Sequence, residues 1–246
     1  MKISEIIRQA FVPRICLFCE EPIDYDQEIP ICEDCLPDWL ANLDMMCDEC
    51  GFDSESCICL PEMVREINHS IAGFGVFYTP KLLTPVNQVV YMVKREYNID
   101  AMRFCANIMY KTALRLCAKH GVKYNDFVVT FPPRRERAEI KYGYDHAKML
   151  AQFFAEKMNL KVEEFFENTG IKEQKTLDRA GRAENATRSY VLLDDIDVKG
   201  KNVFIIDDVM TSGSTLNRCA RLLRKKGAKQ IIPITFAKDM NFKNIF

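Results

Sequence analysis

Apolar residues fall along this chain in two rhythms. Short unbroken runs at residues 126–131 (DFVVTF) and 202–206 (NVFII) suit strands buried on both faces. Longer stretches at 81–94 and 98–120 repeat at helical spacing, the second with Ile99, Met102, Ala106, Met109 and Ala113 along one side. Residues 144–158 and 214–226 predict two further helices, the last ending at Gly227 in the position where glycine closes a helix. Strands are expected at 69–79, 159–166, 190–193 and 230–237, and a short helix capped by Ser4 at 4–11 with Ile6, Ile7 and Phe11 on its apolar side. Strands that alternate with helices predict a parallel α/β sheet. Residues 167–188 are polar and charged without an apolar period, which predicts a mobile loop with a helical turn.

Residues 16–59 follow neither rhythm. They are rich in Cys, Pro, Asp and Glu, and about 45 residues are too few to bury a core of their own. Eight of the eleven cysteines lie here, as Cys16-x2-Cys19, Cys32-x2-Cys35, Cys47-x2-Cys50 and Cys57-x-Cys59. A Cys-x-x-Cys turn offers two thiolates to one tetrahedral ion, and two such turns complete a structural Zn²⁺ site. Sequential filling gives Cys16, Cys19, Cys32 and Cys35 to one site and Cys47, Cys50, Cys57 and Cys59 to a second; interleaved pairing stays open. A redox dithiol or an iron–sulfur cluster has no support beyond the cysteines themselves. The chain thus divides into a Cys-rich zinc module at 1–65 and a larger domain at 66–246. Trp39 is either buried in the module or part of a contact surface, and Cys105, Cys117 and Cys219 sit on predicted helices as core residues.

The totals change little. The 246 residues carry a net charge of −1, so no global field draws the chain to nucleic acid or membrane. No apolar run reaches the roughly 18 residues that span a bilayer. The opening MKISEIIR lacks the features of a secretory signal, so a cytoplasmic location without membrane insertion is expected.

The segment 203–215 (VFIIDDVMTSGST) concentrates the chemistry. An apolar strand runs into Asp207 and Asp208, a hydroxyl-rich loop follows, and a helix begins. Ligands of open α/β sheets bind beyond the carboxyl ends of the strands. Backbone N–H groups of the loop and helix start suit a phosphate, Gly213 permits close approach or positive φ, and Thr211, Ser212, Ser214 and Thr215 add hydroxyl donors. Two carboxylates suit the vicinal hydroxyls of a sugar. The bland alternative is a strand–turn–helix corner with an acidic turn. No Walker-type phosphate loop occurs, and Gly73-Phe74-Gly75 lacks the register of a dinucleotide motif.

A second cluster, Phe131-Pro132-Pro133-Arg134-Arg135-Glu136-Arg137, follows the strand at 126–131. Arginine is the natural bidentate partner of a diphosphate, and Arg134 and Arg137 are the candidates here. His146, in the run Lys141-Tyr142-Gly143-Tyr144-Asp145-His146, is either a general acid or base or a histidine of the surrounding surface, the second reading carrying more weight.

The 203–215 segment resembles the phosphoribosyl-diphosphate (PRPP) motif of type I phosphoribosyltransferases. That resemblance implies Asp207 and Asp208 on the ribose 2′- and 3′-hydroxyls and residues 211–215 on the 5′-phosphate, with Arg134 at the leaving diphosphate and Mg²⁺ accompanying PRPP. The whole chain from about Cys16 to Ala237 resembles the ComF family, which joins N-terminal Cys pairs to a phosphoribosyltransferase-like domain. One run of the family appears in altered form as Phe131 to His146, and a second is recognisable as Gln174, Lys175, Leu177, Arg179, Arg182, Asn185 and Tyr190. Lys141 to His146 replaces the usual Arg-Gly-Phe-Asn-Gln, Lys175 a Thr and Tyr190 a Phe, departures that bear on the second-substrate side. The implied fold is a type I phosphoribosyltransferase-like parallel sheet with flanking helices. The implied roles are pentosyl transfer from PRPP, single-stranded-DNA association with competence proteins during DNA uptake, or PRPP sensing without turnover.

Overall fold

The computed structural model describes residues 14–24, 27, 29–67, 71–80, 84–169 and 189–240. The helix expected at 4–11 and residues 170–188 of the loop expected at 167–188, with Gln174 to Asn185, lie outside the described residues; the start of that loop is part of a strand, Phe166–Asn168.

Five strands form one all-parallel sheet: β3 (Gly73–Tyr78), β4 (Phe127–Thr130), β5 (Lys161–Val162), β8 (Asn202–Met210) and β9 (Gln230–Asp239), ordered β3-β9-β8-β4-β5. The longest strands, β8 and β9, are central, and register pairs Val203 with Ile231 and Asp207 with Thr235. Side chains alternate across a strand. Phe204 and Ile206 accordingly join one buried cluster while Val203 and Ile205 join the other. Helices α4 (Ile99–His120) and α6 (His146–Met158) contribute Met102, Met109, Leu150 and Phe154 to the first face. Helix α7 (Ser214–Lys225) covers the second with Leu216, Ala220 and Leu223. This is the two-sided burial that unbroken apolar strands require.

Gly75 explains the Gly-Phe-Gly run. A Cβ there would stand 2.2 Å from Ile108 Cγ2 of α4, so the glycine lets helix and edge strand touch. Helix α3 (Pro85–Arg95) starts with Thr84, whose side chain accepts from the Asn87 N–H, and α4 starts with Asn98, which accepts from Ala101 N–H at 2.9 Å.

Three elements differ from the sequence pattern. The strand expected at 202–206 continues to Met210, because β9 pairs with it to the end. Asp207 and Asp208 therefore stand on a strand, not in a loop. The strand expected at 159–166 is two short ones: Asn159 takes a left-handed φ of 54° to close α6, β5 follows, and β6 (Phe166–Asn168) turns away to pair antiparallel with β7 (Tyr190–Leu192). Inside the Cys-rich segment, beyond the small pairing of β1 (Arg14–Ile15) with β2 (Pro22–Ile23), Leu36–Leu43 forms a helix, α1. Its Trp39 is buried edge-on against Phe104 of α4, ring centroids 5.0 Å apart. The Cys-rich segment thus shares the main core: Cys16, Leu17, Ile31 and Trp39 lie in one cluster, Cys47, Leu60 and Val64 in the other. The remaining helices are α2 (Glu62–Arg65) and α5 (Glu136–Tyr142).

Candidate functional site

A cavity of about 460 Å³ opens at the carboxyl ends of β8 and β4. Asp207, Asp208 and Val209 form its floor, Thr211 and Thr215 one end, and Pro132, Pro133 and Arg134 the other. A larger cleft of about 870 Å³ lies between the Cys-rich segment and α4, away from the acidic pair and lined by three arginines and two lysines against five carboxylates.

The 211–215 end is shaped by backbone. Gly213 has φ +75°, and the N-terminus of α7 begins at Ser214. The Ser212 hydroxyl accepts from the Ser214 N–H at 3.2 Å and lies 3.1 Å from the Ser214 hydroxyl. Ser212, Gly213 and Ser214 therefore shape the turn, while Thr211 and Thr215 present their side chains on the cavity wall. Gly213 is required twice over. Its φ suits glycine, and a Cβ would fall 2.2 Å from Val64 Cγ2 of α2.

At the opposite end, the Arg134 N–H donates to Asp145 Oδ2 at 2.7 Å, and Asp145 Oδ1 caps α6 by accepting from the Ala147 N–H at 2.9 Å. One aspartate thus fixes both the Pro-Pro-Arg loop and the helix carrying His146. The Arg134 guanidinium lies 4.9 Å from the Tyr142 ring centroid and 5.6 Å from that of Tyr144, and its Nη2 donates to the Lys94 carbonyl. Arg134 Nη1 and His146 Nδ1 are buried without a hydrogen-bond partner among the described residues. Both residues line the cavity. Arg137 stands on exposed α5 and is not part of the cavity wall.

Two further cavity residues, Lys94 and Tyr78, carry no motif of their own, and His146 and Tyr190 enter from the 141–146 and 174–190 runs. Lys94 Nζ lies 2.9 Å from Asp208 Oδ2, and His146 Nε2 lies 3.3 Å from the same oxygen. The histidine is therefore a cavity residue, contrary to the weightier sequence reading, because Asp145 as N-cap turns the first residue of α6 inward. Burial alone would raise the Asp208 carboxyl, but Lys94 and His146 hold it below the usual carboxylate range. Burial, then the charge of Asp208, pushes Asp207 well above that range. Asp208 is the anion of the pair and Asp207 the reluctant one. Burial likewise raises the Tyr190 phenol.

The eight N-terminal cysteines resolve into two sets. Cys16, Cys19, Cys32 and Cys35 converge with every Sγ within 4.8 Å of the others, as do Cys47, Cys50, Cys57 and Cys59. Sequential filling is the arrangement found. A tetrahedral Zn–S distance of about 2.3 Å implies sulfurs about 3.8 Å apart. Cys19 and Cys32 are 3.6 Å apart and Cys50 and Cys57 3.7 Å, so both donor sets fit Zn²⁺. Burial opposes the Cys16 and Cys47 thiolates, yet backbone N–H groups from Cys19 and Cys50 respectively bring each down to about 7. Burial and the neighbouring thiols push Cys57 up to about 12.

The central strand of the parallel sheet thus ends in an acidic pair, a glycine turn and a helix start. Residues 147–241 match the family described as "Phosphoribosyl transferase domain". The chain is 24% identical to competence protein F of Haemophilus influenzae over 61% of its own length and 66% of that protein's. The chain is thus similar both to the phosphoribosyl transferase domain family, over 147–241, and to competence protein F. It is also 62% identical over 37 residues to a ribose-phosphate pyrophosphokinase of Thermococcus kodakarensis, covering 15% of this chain and 13% of that one. It is 21% identical to an amidophosphoribosyltransferase of Pseudomonas aeruginosa over 68% of this chain and 32% of that one. The chain therefore spans less than two thirds of the length of these curated relatives. Among solved structures, an allosteric regulatory enzyme of purine biosynthesis aligns at a TM-score of 0.38 and 18% identity, covering 59% of this chain and 30% of that one. Among the described residues, no helix is long and apolar enough to cross a membrane.

Proposed function

We propose that the chain binds Mg²⁺–PRPP or a related ribose 5-phosphate ligand in the cavity at the end of β8, and that it serves DNA uptake in natural competence. One observation carries the reading: a single cavity holds an acidic pair between a helix-start phosphate cradle and an arginine with an unpartnered buried nitrogen. PRPP has that order of groups, with a phosphate at one end, vicinal hydroxyls in the middle and a diphosphate at the other. The competence role is supported by the similarity to competence protein F.

In this reading Thr211, Thr215 and the α7 start hold the 5′-phosphate. Asp208, already ionised, accepts from a ribose hydroxyl, and Asp207 takes the other. Arg134, held between Tyr142 and Tyr144, pairs with the diphosphate. Mg²⁺ on the diphosphate supplies charge neutralisation there. For transfer, an acceptor nitrogen forms a bond to ribose C1. The C1–O bond breaks with its electron pair leaving on the diphosphate, and the nitrogen's proton passes to solvent. The protein's contribution is positioning and preorganised charge. Cytoplasmic residence accords with thiols kept reduced for metal binding.

Calorimetry with Mg²⁺–PRPP and with ribose 5-phosphate tests the binding. Substituting Asp207→Ala together with Asp208→Ala lowers affinity at least about tenfold; equal binding by this variant removes the proposal. Diphosphate release from labelled PRPP over a panel of bases and amines tests turnover. A flat result beside tight binding favours the sensing role.

A second reading, association with single-stranded DNA, is favoured by one surface. Tyr142 has Arg95, Arg134 and Lys141 over its ring, and the exposed Tyr91 and Tyr97 flank Arg95 in sequence. Aromatic rings among cations suit unstacked bases. Affinity for a labelled oligonucleotide should fall steeply between low and moderate salt; undetectable binding at low salt ends this reading.

A further inference from the structure

The two four-cysteine clusters occupy different places relative to the phosphate loop. Cys16, Leu17 and the neighbouring Trp39 belong to the core on the α4 and α6 face of the sheet. Cys47, Leu60 and Val64 belong to the opposite core, together with Leu216, Ala220 and Leu223 of α7. Only the second cluster lies on the face where the phosphate loop and its helix pack.

The connection is short and tight. Cys59 is followed by buried Leu60, by Pro61 and then by α2, four residues long. An isolated single turn has no stability of its own in water, so α2 is held by what lies at its ends. At its N-terminal side stands the cluster. At the other, Asn217 in the first turn of α7 donates through Nδ2 to the Met63 carbonyl and to Glu66 Oε2, the latter at 3.3 Å. Arg224 Nη1 adds a bond to the Glu66 carbonyl at 3.4 Å. Between them, fully buried Val64 fills the space in which a side chain at 213 would stand, its Cγ2 2.2 Å from that position. The Asn217 N–H in turn donates to the Gly213 carbonyl at 2.8 Å. The loop is thus clasped from one side by α2 and continued by a helix that α2 also holds.

We propose that the second cluster, acting through α2, holds the 211–215 loop in shape, so that metal occupancy at Cys47, Cys50, Cys57 and Cys59 sets the loop's grip on phosphate. Val64 is the positioning residue, and the first cluster has no part in the effect. The consequence for ligand affinity rests on the reading of 211–215 as the phosphate cradle; the consequence for loop order does not. Loss of metal from the second cluster frees the chain before Pro61, lets α2 withdraw, and leaves Gly213 without the surface that fixes its turn. Packed interfaces have few alternative arrangements, so a small shift at Val64 reaches the loop undiminished.

The test uses the full chain, metal-loaded, in four forms: wild type, Cys59→Ser, Val64→Ala and Cys19→Ser. Amide hydrogen exchange over residues 211–217 is read by mass spectrometry, and affinity for ribose 5-phosphate by calorimetry. Expected are at least about tenfold faster exchange and about tenfold weaker binding in Cys59→Ser and in Val64→Ala, with Cys19→Ser within about twofold of wild type in both. Val64→Ile, which keeps the branched contact, restores slow exchange. Should wild type fail to bind ribose 5-phosphate, the ligand reading falls while the exchange data still judge the coupling. Unchanged exchange in a folded Cys59→Ser, unchanged exchange in Val64→Ala, or an equal effect from Cys19→Ser overturns it. Val64→Ala deletes only two methyl groups and keeps the test decisive if Cys59→Ser does not fold.

Discussion

Lys94 Nζ stands 2.9 Å from Asp208 Oδ2, so the buried carboxylate has its own counter-ion within the chain. The lysine comes from the last turn of α3 and the aspartate from the centre of the sheet, and Asp208 is buried while Lys94 keeps about a third of its side chain in solvent. Removing the lysine strands a buried carboxylate that His146 alone then faces. Lys94→Met should destabilise the free protein by about 1–2 kcal/mol, the partial exposure of Lys94 discounting the larger cost of a fully buried pair. Adding Asp208→Asn removes the stranded charge and should recover most of the loss. Denaturant unfolding of the two single variants and the double one measures the coupling; additive losses would mean that the pair makes no contribution.

The neighbouring carboxyl behaves oppositely. Burial and the Asp208 charge raise Asp207, so its contribution to stability is present below the unfolded value of about 4 and lost as pH rises through the folded value. Asp208 is depressed, so its contribution is present above about 4 and lost in acid. Asp207→Asn should therefore raise the melting temperature of the free protein at pH 7 by about 2–4 °C, and the gain should vanish below about pH 4. The same substitution should weaken ribose 5-phosphate binding. A stabilised protein that binds less is the signature of a residue kept for its ligand. Thermal melts at pH 7 and pH 3.5 check the sign, and a variant less stable at pH 7 would contradict it.

The acidic pair, the hydroxyl loop and the cysteine sets were all legible, because each is a contiguous run whose chemistry survives without tertiary context. The alternation of strand and helix was legible for the same reason: Val203 to Ile206 can only be buried on both faces. Lys94 and His146 were not, because their role depends on where α3 and α6 end in space. Lys94 reads as an ordinary basic residue in a last turn, and His146 as the second residue of a capped start. The extension of β8 through the two aspartates was hidden for a different reason. Carboxylates argue against a strand unless a partner such as β9 supplies the ladder. Helix α1 was masked by the cysteines around it, although Pro37 at its start and Trp39 facing inward are ordinary helix signals.

Metal content follows from the two separate sulfur sets. The full chain should carry two Zn²⁺ per molecule, and Cys19→Ser or Cys50→Ser should each reduce this towards one without emptying the other site. Elemental analysis after gel filtration measures it. Redistribution to a single shared site in either variant would show that the sets exchange ligands. Chelation of wild type should lower the melting temperature, since metal binding free energy is also folding free energy.

Trp39 offers a reporter confined to one of these sites. It is the only tryptophan, is 3% exposed, and lies between Phe18 at 6.1 Å and Phe104 at 5.0 Å. Phe18 stands between Cys16 and Cys19, so the ring is walled on one side by the first cluster and on the other by α4. Its emission in the metal-loaded chain should be that of a buried indole. Cys19→Ser should shift it to the red as the Phe18 wall loosens, whereas Cys50→Ser in the other cluster should leave it unchanged. Trp39→Ala should cost about 3–5 kcal/mol, as expected for truncating a large ring in a packed core. That cost would arise although the residue belongs to a segment whose sequence gave no sign of sharing the main core. A loss below about 1 kcal/mol in denaturant unfolding would mean that the Cys-rich segment sits on the sheet domain without supporting it.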